Sequence, residues 1–260
     1  MQQGRGHRPK VGRGSPIRRG KVRRSLHYFA EYQQIQTFPA TMIALNIAPQ
    51  FKTRIPGLTV GFLTASVTVT QHNEGLWREI DAAAAGFRGM TMEQARRYPA
   101  IKALRESYRG LGLDPTRYRG SSEALVRRIT QGKELYRVNT VVDINNLISL
   151  ETLNSVGTYD LESLQPPIVF REGEVGETYC GIGRGEIRLE CLPVFADQLG
   201  PFGSTTSDSE RSMVRLDTKK ILLVNISFLG SDDMMRIMER AVELLTRYAD
   251  ARASEIGLAT

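Results

Sequence analysis

Tyr118-Arg-Gly-Ser-Ser-Glu-Ala-Leu-Val-Arg-Arg128, Asn139-Thr-Val-Val-Asp-Ile-Asn-Asn-Leu147 and Val156-Gly-Thr-Tyr-Asp160 set the reading of this 260-residue chain. The stretch packs two helix starts, a cluster of asparagines and a Gly-containing turn between apolar runs. Ser121 or Ser122 is placed to cap a short helix carrying Leu125, Val126 and Ile129, and Gly132 fits its end. Thr140, with Asp143 three residues on, is a second capping pattern that opens a helix with Ile144, Leu147 and Ile148 inward. On that helix Asn145, Asn146 and Ser149 cannot all enter the core, so its polar side faces solvent or a pocket. Val156–Asp160 reads as the turn that follows.

Upstream, Leu58–Val69 is rich in Val, Thr, Phe and Leu and reads as a strand. Asn73–Phe87 reads as a helix with Leu76, Trp77 and Ile80 on one side. Thr91 with Gln94 forms a capping box, and the helix runs on through Arg96–Tyr108 with Pro99 kinking or dividing it. Gly110–Pro115 is a turn.

Downstream of Pro166-Pro167 the character is β, with strand candidates at Ile168–Phe170, Thr178–Ile182, Ile187–Leu192 and Ile221–Phe228. The last is nearly all apolar, as a strand covered on both faces must be. Ser231 is placed to cap a long final helix, with Asp232 and Asp233 suiting its dipole. Its apolar stripe runs through Met234, Ile237, Met238, Ala241, Leu245 and Tyr248. The result is α+β: a helical first half, then a β-rich half closed by a helix, with no linker between them.

Residues 1–41 hold nine Lys/Arg against one acid, a net of +8, whereas residues 42–260 hold 26 basic and 27 acidic residues, a net of −1. The basic segment has no sustained period and is expected to be a disordered tail. A basic arm touching RNA or anionic lipid, or a natural start at Met42, are its alternatives. The near-neutral body, residues 42–260, is expected to be a single domain with weak intrinsic grip on RNA, since phosphate contacts dominate such affinity. No apolar run is long enough to cross a bilayer, so no membrane role is expected, and the setting is expected to be cytoplasmic. Cys180 and Cys191 are expected to be reduced and buried rather than bridged. Three histidines, His7, His27 and His72, leave too few for a His-based hydrolase or metal centre; no metal and no cofactor are expected.

Three polar stretches each carry two readings. Gly181–Glu186 lies between strands and reads as a hairpin turn, with Arg184 at its tip in reach of a substrate phosphate. Ser204–Ser212 is either a solvated loop or an acceptor-rich wall, where Asp208 and Glu210 share a face if the segment is extended. Asn139, Asn145 and Asn146 either cap and solvate their helix or recognise ribose hydroxyls or an amino-acid backbone.

Asn139–Leu150, Val156–Leu161, and Ser207–Ser212 followed by Asp217–Val224 resemble, in that order, the B3/B4 domain of the phenylalanyl-tRNA synthetase β subunit. Ser121–Arg128 and the long final helix are more like the stand-alone B3/B4 proteins. The resemblance covers residues 42–260 and implies a layered α+β domain with a β-sandwich core flanked by helices. In the synthetase this domain hydrolyses tyrosine wrongly esterified to phenylalanine tRNA, and its editing glutamate falls on Glu210. Gly157 stands where the synthetase has histidine, and Arg211 where it usually has another. The function so implied is a trans-acting aminoacyl-tRNA deacylase, with the aminoacylated 3′ end of tRNA as partner. There a water near Glu210 and Asn145 or Asn146 attacks the ester, and backbone N–H groups around Gly157 and Thr158 stabilise the oxyanion. Asn139, Asp208, Arg211 and Arg184 complete the expected substrate contacts. The alternative is a non-catalytic module that binds tRNA, other RNA or an amino acid.

Overall fold

Lys220–Ser227 (β9) is the strand around which the layers form, and its apolar run is buried from Ile221 onward. A computed structural model describes residues 43–230 and 232–260. β9 pairs antiparallel with Thr59–Ser66 (β2) on one side and Ser155–Asp160 (β3) on the other. Arg252–Ala259 (β10) joins beyond β2, giving the order β10-β2-β9-β3. Residues alternate between faces along each strand. Ile221, Leu223, Leu63, Ala65 and Val156 join one buried cluster with the helices, and Leu222, Val224 and Phe62 point the other way.

The helices on the first face are Glu74–Ala85 (α2), Thr140–Thr152 (α6) and Met234–Ala249 (α7). Helix α7 buries Met234, Met238, Ala241 and Leu245 of its expected stripe and leaves Ile237 and Tyr248 partly covered. The second face meets another sheet, Leu45–Ile47 (β1), Ile168–Glu172 (β4), Pro193–Asp197 (β7) and Gly200–Ser204 (β8), in the order β1-β4-β7-β8. An aromatic stack fills the gap: Phe170 and Phe195 lie 4.2 Å apart, and Tyr159 meets Phe202 edge-on at 4.9 Å. Such pairs add to the burial of their large apolar areas. The molecule is thus an α+β layered fold, helices on a β-sandwich, as expected. The remaining helices, Pro49–Arg54 (α1), Met92–Ala95 (α3), Pro99–Gly110 (α4) and Ser121–Thr130 (α5), flank these layers.

Several local expectations change. Val156–Asp160 is not a turn but most of edge strand β3, because its backbone completes the ladder of β9. Strand Gly185–Arg188 (β6) pairs with Thr178–Gly181 (β5) and stops at Arg188, short of Leu192. There Leu189 N–H donates to Glu177 O and Cys191 takes a left-handed turn at φ 63°. Gly120, not a serine, precedes α5, and the Ser122 hydroxyl donates instead to Leu153 O at 2.8 Å. Asn139, not Thr140, caps α6, while Asp143 is fully buried and accepts from Trp77 Nε1 at 2.7 Å. Thr91 and Gln94 do form a capping box, and Pro99 divides the segment by opening α4 at its first turn. Both cysteines are free, but Cys180 is exposed and Cys191 half-buried. The expectations for residues 1–41, Met42 and the Ser231 cap lie outside the described residues.

Candidate nucleic-acid interface

Thr158 leaves one face of β3, and Gly157 and Tyr159 leave the other. Thr158 Oγ1 donates to Asn145 Oδ1 at 3.0 Å, which fixes that carboxamide on α6. Asn139 Oδ1 accepts from Val142 N–H at 2.9 Å, and its Nδ2 donates to Val214 O at 3.4 Å. Asn146 is half-buried beside them, and Ser149 is fully buried. On the opposite face the Tyr159 ring bridges Gly157 and Gly203 of β8. A Cβ at either glycine would stand 2.3 Å from the tyrosine hydroxyl oxygen. The volume that a histidine at position 157 would need is therefore already filled.

The Tyr159 hydroxyl donates to Asp208 Oδ1 at 3.1 Å, and Ser204 N–H donates to the same oxygen at 3.3 Å. Burial pushes the Asp208 carboxyl up to about 7 against the pull of these two bonds. Glu210 opens a 3-10 turn, Glu210–Ser212, capped by Ser209, and this turn sends it to solvent. The expected shared face of Asp208 and Glu210 is thereby lost. Glu210 meets the Cys180 thiol, whose pKa its carboxylate raises. Arg211 turns inward, with two bonds of 3.0 Å to the buried Asp197 carboxylate and further bonds to Ser163 O and Gly200 O. Asn145 and Asp208 thus bond side chains that leave opposite faces of β3, and the strand lies between them.

The charge concentrates elsewhere. A cleft of about 750 Å³ separates the α5 region from the β5–β6 hairpin. Arg117, Arg119, Arg127, Arg128 and Lys133 line it from the α5 side. Arg184 and Arg188 line it from the hairpin, where Glu186 is the one acidic lining residue. None of these seven cations forms an ion pair among the described residues, and Arg119 Nε is buried there without a hydrogen bond. Two tyrosines are interleaved. The Arg117 guanidinium lies 5.5 Å from the Tyr118 ring centroid, and that of Arg128 lies 3.7 Å from Tyr136. Such pairs hold cations in place over aromatic faces. Thr206 and Ser207, from the loop anchored by Asp208, form part of the cleft floor. A body whose net charge is −1 therefore gathers seven cations around one opening.

The B3/4 domain family matches residues 103–256. The chain belongs to the B3/4 domain family. The match takes in α5, α6, β3 and the Ser204–Ser212 loop together. An N-terminal fragment of the phenylalanyl-tRNA synthetase β-subunit from Pyrococcus horikoshii is similar at 12% identity and a TM-score of 0.40, over 85% of this chain and 55% of that one. The B3/4 chain thus spans about half the length of that fragment. No curated protein matches it.

Of the residues singled out in this B3/4 sequence, the fold joins Asn145 to Thr158, holds the half-buried Asp208 with Ser204 and Tyr159, engages Arg211 with Asp197 and leaves Glu210 exposed. Arg184 alone reaches the cleft. The arginines of the α5 wall are invisible in a net charge averaged over the whole body. A window over residues 117–137 would have found them: six Lys/Arg stand there against Glu123 and Glu134.

Proposed function

We propose that this B3/4 protein binds RNA, with tRNA as its partner, and holds the backbone in the cleft between α5 and the β5–β6 hairpin. The observation that carries this reading is the segregation into one opening of two tyrosines and seven cations that form no ion pair among the described residues. Phosphate neutralisation supplies most of the sequence-independent affinity of such sites, and aromatic rings add stacking. Binding of tRNA should weaken steeply with salt. Arg127→Ala with Arg188→Ala should reduce affinity about tenfold or more at moderate salt while leaving the fold intact. Affinity unchanged in that double variant would remove the reading.

The finer reading is a trans-acting aminoacyl-tRNA deacylase, working in the cytoplasm on the aminoacylated 3′ end. Its support is the exposure of Glu210, a carboxylate that neighbours the exposed Cys180 thiol and that solvent or a substrate hydroxyl or amine can reach. Glu210 follows the loop whose Thr206 and Ser207 line the cleft, so an end that overran the cleft would approach it. The half-buried Asn145 and Asn146 and the buried Thr158 belong to the other face of β3, and the buried Gly157 is closed off by the Tyr159 side chain, so on this geometry they support the strand rather than share a substrate with Glu210. The binding-only reading is accordingly the better supported of the two. Incubation with tRNAs charged with different amino acids decides between them. A deacylase releases one class faster than buffer does, and Glu210→Ala loses that release while keeping tRNA affinity. Release equal to buffer for every amino acid leaves a binding module.

A further inference from the structure

The basic cleft has a neighbour. A second cavity, of about 630 Å³, is walled by Trp77, Asp81, Arg88, Ile129 and Arg137, and Lys133 lines both openings. The junction lies just past the end of α5, where Gly132 takes a left-handed turn at φ 70°. The loop leaving that turn is held by Arg128 Nε, which donates to Glu134 O. Tyr136, on the same loop, is 66% exposed although Arg128 covers one of its faces, so the other face is open.

The two cavities differ in charge. The first has seven cations and one carboxylate, whereas the second has Arg88, Lys133 and Arg137 against Asp81 and Glu134. At its far wall the Arg137 guanidinium lies 4.4 Å from the centroid of the buried Trp77 ring. Arg137 Nη1 is also 3.2 Å from His72 Nε2. A strongly cationic first cavity suits successive phosphates. A second cavity with mixed charge suits a unit bearing fewer phosphates and more hydroxyls, for which Asp81 and Glu134 are acceptors.

We propose that the two cavities form one track for a single, unpaired RNA strand. The strand bends at Lys133, stacks a base on the open face of Tyr136, and sets its terminal nucleoside against Arg137 and Asp81. This inference rests on the RNA reading of the first cleft and extends its footprint. Stacking of this kind requires an unpaired base, because both faces of a base within a duplex are already covered.

Trp77 is the chain's single tryptophan, so its emission reports directly on Arg137. Unstructured RNA oligomers of about three to about twelve nucleotides, bracketing the site sizes of single-strand binders, are titrated at low salt. Binding is read both by anisotropy of a labelled oligomer and by Trp77 emission. Oligomers long enough to pass Lys133 should shift the emission and bind more tightly than the shortest, which should leave it unchanged. Arg137→Ala should weaken the long oligomers about tenfold and the shortest less than about twofold. Arg88→Ala, at an exposed position, repeats the comparison should Arg137→Ala fail to fold. Tyr136→Ala should weaken single strands but not a duplex of equal length. Emission unchanged at every length, with binding still lost in Arg127→Ala/Arg188→Ala, overturns the track and leaves the cleft. Equal affinity for strand and duplex also overturns it. No binding of any oligomer overturns the RNA reading itself.

Discussion

In the interior of this B3/4 protein the fully buried carboxylates have their counterparts. Glu123, fully buried, takes Arg105 Nη1 at 2.8 Å, and Asp197, fully buried, takes Arg211. The half-buried Asp208 carboxyl has no ion pair among the described residues and is held by two hydrogen bonds, and desolvation pushes its pKa up to about 7. Around the α5 cleft the same residue types stand without carboxylate partners among the described residues. Removing a charge from water is costly enough that an interior ion must be paired or neutralised. Cations gathered in a wet cleft repel one another, and such an arrangement suits a ligand that supplies the opposite charge. Arginine thus does two jobs here, and solvent access separates them.

The largest expected effect lies in the interior. Glu123→Ala strands Arg105 without its carboxylate and should destabilise by about 3–5 kcal/mol in chemical denaturation. A loss no greater than that of a cleft variant would erase the distinction between the two regions. Next comes Gly157→Ala, whose Cβ overlaps the Tyr159 ring that Gly203 holds from the other side. It should cost about 1–3 kcal/mol, and Tyr159→Leu in the same chain should recover part of that cost.

Asp208 gives an effect that depends on pH. Its folded-state pKa of about 7 lies above the ordinary 3.8, so between about pH 4 and pH 7 the native protein keeps a proton that the unfolded chain has released. Stability contributed by this group therefore falls as pH rises through that window. Asp208→Asn keeps an oxygen acceptor for Tyr159 and Ser204 and should lessen the fall by on the order of 2 kcal/mol, read from denaturation midpoints at each pH. Curves that remain parallel would show that the carboxyl is ionised throughout. The smallest stability change belongs to the cleft. Arg188→Ala should move stability by less than about 0.5 kcal/mol, yet lower the slope of log affinity against log salt by about 0.7 for single-stranded RNA. A variant that loses stability but keeps its slope would place Arg188 with the interior arginines.

Legibility in the sequence followed the range of the interactions. The Thr91–Gln94 capping box, the division at Pro99, the strand in Leu58–Val69 and the buried β9 were all legible because their signals lie within a few residues. The capping reading of Asn139 holds, whereas Thr140 with Asp143 mimics the pattern one residue later and Asp143 is drawn inward by Trp77 from a different helix. Val156–Asp160 reads as a turn in sequence because a glycine beside polar residues signals chain reversal, whereas in the fold it is strand. The role of Gly157 is to admit the ring of Tyr159. Glu210 and Asp208 were placed on one face by assuming an extended backbone, and the 3-10 turn capped by Ser209 separates them.

By itself the amino-acid sequence determined which segments bury an apolar face, where helices break, and that motifs of the B3/4 family occur in order. Those properties are set by neighbours along the chain. Only the tertiary structure decided that Tyr159 leaves no room for a side chain at Gly157, that Asn145 and Asp208 stand on opposite sides of β3, and that arginines from α5 and from a distant hairpin face one another. Sheet register and layer packing bring those groups together or apart, and a count of charges along the chain averages away the pattern that packing makes.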